Sequence, residues 1–140
     1  MKLQAVPFRA RHVRDIIPNA SDEVMRKAQR AEETGPAWSG FLYGRAFIAA
    51  GVSINQEMRI GEAWSLSSPI AKGYPLFVHR EVKRQLDRIV KSLDEIYAAC
   101  RIEDRWLVRL GFQEVPRETL RFPEMLEKLI DQQRIYVRRG

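Results

Sequence analysis

The clearest pattern in the chain begins at Pro75. Val78, Val82, Leu86, Ile89, Val90 and Leu93 recur at helical spacing, while Lys83, Arg84, Asp87, Arg88 and Lys91 fall mostly on the other side. This spacing predicts an amphipathic helix of about five turns, started by a proline in its first turn. A second helix is marked at its ends. Ser21 is the N-cap, Asp22 and Glu23 lie in the first turn, and Gly35-Pro36 stop it. A shorter one, "ARHVRDIIPN", sets Val13, Ile16 and Ile17 on one face before Pro18 closes it.

Elsewhere the period shortens toward that of strands. "KLQAVPF" is a strand ended by Pro7. "GFLY" and "RAFIAAGVSI" read as a hairpin turning at Tyr43-Gly44. "EMRIGEAWSL" is a further strand. Its apolar members Ile60, Ala63, Trp64 and Leu66 alternate imperfectly, which implies burial on both faces. After the long helix, "DEIYAAC" is a strand, and "RIEDRWLVRLG" a short helix with Trp106, Leu107 and Leu110 inward and Gly111 at its C-cap. "FQEVPRE" is a strand, "FPEMLEKLIDQ" holds a turn or more of helix, and "QRIYVRRG" is the last strand. This order predicts one α+β domain over residues 1–140. Its mixed sheet has about six to seven strands with helices on both faces, and Gly61 to Cys100 form a crossover between parallel strands.

Composition agrees with a folded, water-soluble domain: 45% apolar and 30% charged residues over 140 positions, enough to bury a core. The net charge of +6 permits an anionic partner, but the basic residues are interleaved with acids, as in "REVKRQLDR", so a solvated helix face or a protein contact is expected there. Arg134, Arg138 and Arg139 form the one unbalanced stretch, read as a weak anion or partner contact. One cysteine and two histidines leave no disulfide and no zinc set, so no metal is expected, and Cys100 reads as a buried thiol. No secretory h-region and no bilayer-length apolar run are visible, so a cytoplasmic protein with no membrane span is expected.

"GEAWSLSSPIAKGYPLF" raises the question of chemistry, because strand, loop and helix in that order can cradle a phosphate at the helix start. "GEAWSL", the long helix and "IYAACRIEDRWLVRLGF" resemble the GNAT N-acetyltransferase superfamily, whose members use acetyl-coenzyme A. A narrower resemblance joins "EAWSLSSP" and "RWLVRLGF" to small GNAT-like internal virion or ejection-associated proteins of short-tailed phages. The broader resemblance implies a GNAT-like sheet and a cofactor loop of small residues before the long helix.

The loop departs from that pattern. Pro69 and Pro75 each remove an N–H donor, Tyr74 adds bulk, and Ala71, Lys72 and Gly73 are what remains. The Tyr that family members place in the short helix to protonate the leaving thiolate is replaced by Trp106, Leu107 and Val108. The position of a family Asn falls on Cys100 or Arg101. If the chain is active, the resemblance assigns Glu62 as the base and Ser67, Ser68, Lys72 and Gly73 to the cofactor; Tyr43 and Tyr74 are further donors. Trp38, Trp64 and Trp106 could stack on a base, but their apolar neighbours point to packing.

The expectation from sequence is therefore a non-catalytic GNAT-fold interaction protein with no cofactor. Its partners would be phage virion components, with weak non-specific DNA contact, and it would be made in the host cytoplasm or carried in the particle. The alternative is an acetyl-coenzyme A-dependent N-acetyltransferase acting on a small amine or a protein amine.

Overall fold

In a computed structural model, residues 3–100, 105–116 and 134–140 are described, the side chain of Cys100 excepted. The stretch "FPEMLEKLIDQ", Arg101 and the Cys100 thiol, on which three expectations rest, lie outside that set.

The chain begins with β1 (Leu3–Pro7), a 3₁₀ turn (Ala10–His12), α1 (Val13–Ile16) and α2 (Asp22–Thr34). Ser21 caps α2 as expected, its Oγ accepting from Val24 N–H at 3.2 Å, a bond worth about 1 kcal/mol. Two hairpins follow: β2 (Ala37–Leu42), β3 (Arg45–Asn55) and β4 (Ile60–Ser67). Tyr43 and Gly44 both take positive φ (50° and 77°), the backbone that a two-residue hairpin turn requires.

Between β4 and α3 (Pro75–Ile89) lies a second 3₁₀ turn, Pro69–Gly73, where the sequence predicted an irregular loop. Pro75 holds the first position of α3. Every apolar position read from the helical spacing, Val78 through Leu93, is buried. A 3₁₀ turn (Val90–Ser92) leads into β5 (Glu95–Cys100), then α4 (Arg105–Arg109), β6 (Gln113–Val115) and β7 (Arg134–Arg139). Gly111 (φ 96°) closes α4 with two bonds, Phe112 N–H to Leu107 O and Gly111 N–H to Val108 O, both at 3.0 Å. This paired closure needs a residue that tolerates left-handed backbone.

The seven strands form one sheet in the order β1-β2-β3-β4-β5-β7-β6. Pairing is antiparallel except between β4 and β5. Helices α3 and α4 pack one face around Phe47, Val52, Leu86, Ile96 and Leu107. Helices α1 and α2 pack the other around Phe8, Val13, Ile16, Ala28 and Ala49. The mixed α+β sheet with helices on both faces is as the sequence predicted.

The terminal arginines are a correction. Arg134 pairs with Glu114 (2.9 Å), Arg138 with Asp87 of α3 (2.6 Å) and Arg139 with Glu95 (3.3 Å). As β7 sits between β5 and β6, its arginines meet acids of the fold rather than an outside anion. On α3, Lys83 pairs with Asp87 and Arg84 with Glu81, the solvated face the interleaved charges implied.

Candidate functional site

The parallel ladder between β4 and β5 is short. Ile60, Gly61 and Glu62 pair with Glu95, Ile96 and Tyr97, and there the pairing stops, although β4 runs on to Ser67 and β5 to Cys100. The two strands fork just beyond Glu62. Ser68 N–H donates to Phe47 O of β3 at 2.9 Å. By strand alternation, even-numbered residues of β4 address β3, and odd-numbered Ser65 and Ser67 turn their backbone groups to the gap. Among the described residues no strand stands beside them there.

The gap is a cleft of about 340 Å³. Ala63 and Ser65 of β4, Ala98 and Ala99 of β5, Leu86 of α3 and Trp106 of α4 are among its walls. Small residues on both strands keep it open. On the α2 face of β4 lies a wider trough of about 920 Å³ between α2 and the β3–β4 hairpin. Glu62 lines it, as do Lys27, Arg30, Ser53 and Asn55. Trp64 and Ser65 line both spaces, so one short piece of β4 is their common wall. The indole Nε1 of Trp64 is buried there with no partner among the described residues. A Cβ on Gly51 would come within 2.9 Å of the Trp64 ring, so this glycine leaves room for the ring beside β3.

The residues named from sequence do not form one cluster. Glu62 lies at the fork. Ser67 and Ser68 lie five and six residues further along, about 17 Å or more by strand rise, and Lys72 and Gly73 lie in the 3₁₀ turn. An extended ligand could touch both groups; a compact one could not. The turn spends part of its donors internally, Ala71 N–H bonding Ser68 O and Tyr74 N–H bonding Ala71 O, both at 3.1 Å, while the Ser68 hydroxyl is buried with no partner among the described residues. Ser68 N–H is taken by β3, which removes it as a grip for an anion. Lys72 is exposed, and a Cβ on Gly73 would meet nothing within 4 Å. Helix α3 has no side-chain cap and no acid in its first turn. Its early N–H groups at Leu76 and Phe77 have no carbonyl within the helix to bond.

The three tryptophans were read as packing, and they do pack. Trp38 meets Phe77 edge-on at 6.5 Å and Trp64 meets Phe8 at 5.2 Å. All three also line the cleft, which the sequence could not reveal, because β2, β4 and α4 converge only in three dimensions. Trp106 Nε1–H donates to His79 Nδ1 at 3.0 Å, tying α4 to α3 and fixing the His79 proton on Nε2 when the ring is neutral. Among the described residues no group of three His, Cys, Asp or Glu could hold a metal, and no helix is long and apolar enough to cross a membrane.

The seven-stranded mixed sheet and its helices superpose on solved acetyltransferases. An acetyltransferase from Streptococcus agalactiae 2603 superposes with a TM-score of 0.74 at 13% identity, covering 99% of this chain and 98% of that one. A GNAT-family acetyltransferase from Staphylococcus aureus Mu50 gives 0.63 at 14% identity over 98% of both chains. The fold is that of the GNAT acetyltransferases. N-acetylglutamate synthase from Neisseria gonorrhoeae, solved with coenzyme A and N-acetyl-glutamate, gives 0.69 at 16% identity. The match covers 99% of this chain and 35% of the synthase, so this chain spans about a third of that protein. No family model and no curated protein matches the sequence.

The cleft at the fork is apolar-walled and edged with strand backbone that has no partner strand among the described residues. At the far end of β4 the polar groups on offer are Lys72, the Ser68 hydroxyl and the early N–H groups of α3 at Leu76 and Phe77.

Proposed function

We propose that this protein is an acetyl-coenzyme A-dependent N-acetyltransferase with a reduced phosphate grip. The observation that carries the reading is the fork: an acyl cleft and an acceptor trough meet at Trp64 and Ser65, with Glu62 on the trough side. Acetyl-coenzyme A would supply a thioester in the cleft. The acceptor amine, entering from the trough, attacks the acyl carbon. The N–C bond forms, the C–S bond breaks, and the sulfur leaves with the electron pair. Glu62 takes the proton the amine must lose, directly or through water. Backbone N–H groups of β4 that face the gap would steady the carbonyl oxygen as negative charge gathers on it. The departing thiolate has an ordinary thiol basicity and can take its proton from solvent.

The test is a thermal titration of the full chain with acetyl-coenzyme A and with free coenzyme A. A ligand that binds the folded state alone raises the melting temperature as its concentration passes the dissociation constant. A shift with both is the expected result. No shift at millimolar ligand overturns the reading.

One observation favours a second reading. The Pro69–Gly73 turn closes on itself where a phosphate cradle would open. On this reading the fold serves as a non-catalytic module that binds protein partners. The resemblance to phage virion proteins would place those partners, and any weak DNA contact, in a phage particle. A flat thermal titration is what this reading expects.

A further inference from the structure

We propose that the acceptor is a small amine carrying a carboxylate, its amino group at Glu62 and its carboxylate held by Arg30 and Lys27. This rests on the acyl-transfer reading above and adds the class of substrate to it.

The trough fixes the geometry. Thr34 Oγ donates to Ser53 Oγ at 3.3 Å, and Ser53 pairs with Glu62 across β3 and β4. The C-terminal end of α2 therefore stands level with Glu62. Arg30 lies about 6 Å and Lys27 about 10 Å up the helix axis from Thr34, on the stripe that faces the trough. Against these two cations the described lining holds one carboxylate, Glu62 itself. Arg30 has no ion pair among the described residues. Lys27 shares its charge with Glu23 at 3.6 Å, both well exposed, a weak pair that a ligand can displace.

A diamine or polyamine entering this space would set its far ammonium against Arg30 and Lys27, a like-charge clash. A carboxylate there meets a guanidinium fork that matches it in shape. The Trp64 ring lies on the same face of β4 as Glu62, two residues on, and adds an aromatic wall to the trough. With Thr34 level with Glu62, Arg30 stands about 6 Å further up α2 by helix rise, which favours an ω-amino acid of several carbons over glycine.

The test measures thiol release from acetyl-coenzyme A by the full chain. The acceptors are glycine, β-alanine, γ-aminobutyrate and 5-aminovalerate, with 1,4-diaminobutane as the cationic counterpart and ethanolamine as the neutral one. A charge-assisted contact predicts kcat/KM about 10-fold or more higher for the longer amino acids than for the diamine. Replacing both cations (Lys27→Glu with Arg30→Glu) is expected to reverse that order, chiefly through KM; both sites are exposed on α2, and circular dichroism checks the fold. Turnover that ignores charge, or prefers the diamine, overturns the substrate class and leaves acetyl transfer standing. Binding of acetyl-coenzyme A without turnover of any of these amines also overturns the class. Loss of the acetyl-coenzyme A thermal shift overturns the enzyme reading beneath it.

Discussion

The fork and the turn hang on the same strand, and they treat the backbone in opposite ways. At Glu62–Ser65, β4 abandons its parallel partner and leaves donors and acceptors facing an open cleft. At Ser68–Tyr74, one step further along, the chain folds its donors into a 3₁₀ turn bracketed by Pro69 and Pro75. Both ends would have to meet one extended cofactor. On the proposed reading, the difference teaches that the acyl end would be made by strand divergence beside the small residues Ala63, Ala98 and Ala99. The phosphate end would be made by loop composition, which can be rewritten without disturbing the sheet.

The largest effect tests the fork. Glu62→Gln keeps shape and burial but removes the base, so kcat should fall by about 100-fold or more. The acetyl-coenzyme A thermal shift should stay, because Glu62 lies on the trough side. Unchanged turnover would remove Glu62 from the chemistry and leave the fork as a binding feature.

The fold was legible because its signals are local. The α2 cap, the Tyr43-Gly44 turn, the α3 stripe and the Leu110-Gly111-Phe112 closure each follow from neighbouring residues. The fork was not legible. Glu95–Cys100 and Ile60–Ser67 both read as strands, and nothing in either run says that their pairing ends after three residues. Glu62 was named through resemblance, yet its trough partners Arg30 and Lys27 looked like ordinary surface charge on a helix. The 3₁₀ turn was missed because Pro-Ile-Ala-Lys-Gly carries breaker residues that suit a loop equally well. The terminal arginines were misread because strand order puts β7 inside the sheet, beside acids far away in sequence.

A smaller effect sharpens the other side of the comparison. If the phosphate grip is reduced to Lys72 and the start of α3, acetyl-pantetheine should serve nearly as well as acetyl-coenzyme A, within about 10-fold in kcat/KM. Lys72→Ala should weaken coenzyme A binding a few-fold, an effect that fades with salt because an exposed cation is screened. It should leave acetyl-pantetheine unaffected. A loss of 1,000-fold on removing the nucleotide half would mean that the turn holds phosphate after all.

The smallest effect separates what anchors each end. On the trough side, His12 is buried, and its Nδ1 accepts from Arg9 N–H at 3.1 Å and meets Ser39 Oγ at 2.9 Å. Burial, then the nearby Arg11, lowers its pKa below the ordinary 6.5. The unfolded chain therefore takes up this proton first. The stability His12 contributes is complete above about pH 6.5 and is lost as pH falls toward its lower folded value. On the α3 side, hydrogen bonds from Lys83 and then Arg138 lower the Asp87 pKa below 3.8. That contribution is present above the ordinary carboxylate value and is lost only as pH falls through the lower folded one. Between pH 7.5 and 5 the melting temperature should therefore drop through His12 and not through Asp87. His12→Gln should flatten that slope, while Asp87→Asn should lower the whole curve and leave its slope unchanged. Equal slopes in both variants would mean that the two faces are not anchored separately. A slope lost in Asp87→Asn alone would place the titrating contact at the C-terminal end of α3, beside the start of β4 and away from the Pro69–Gly73 turn.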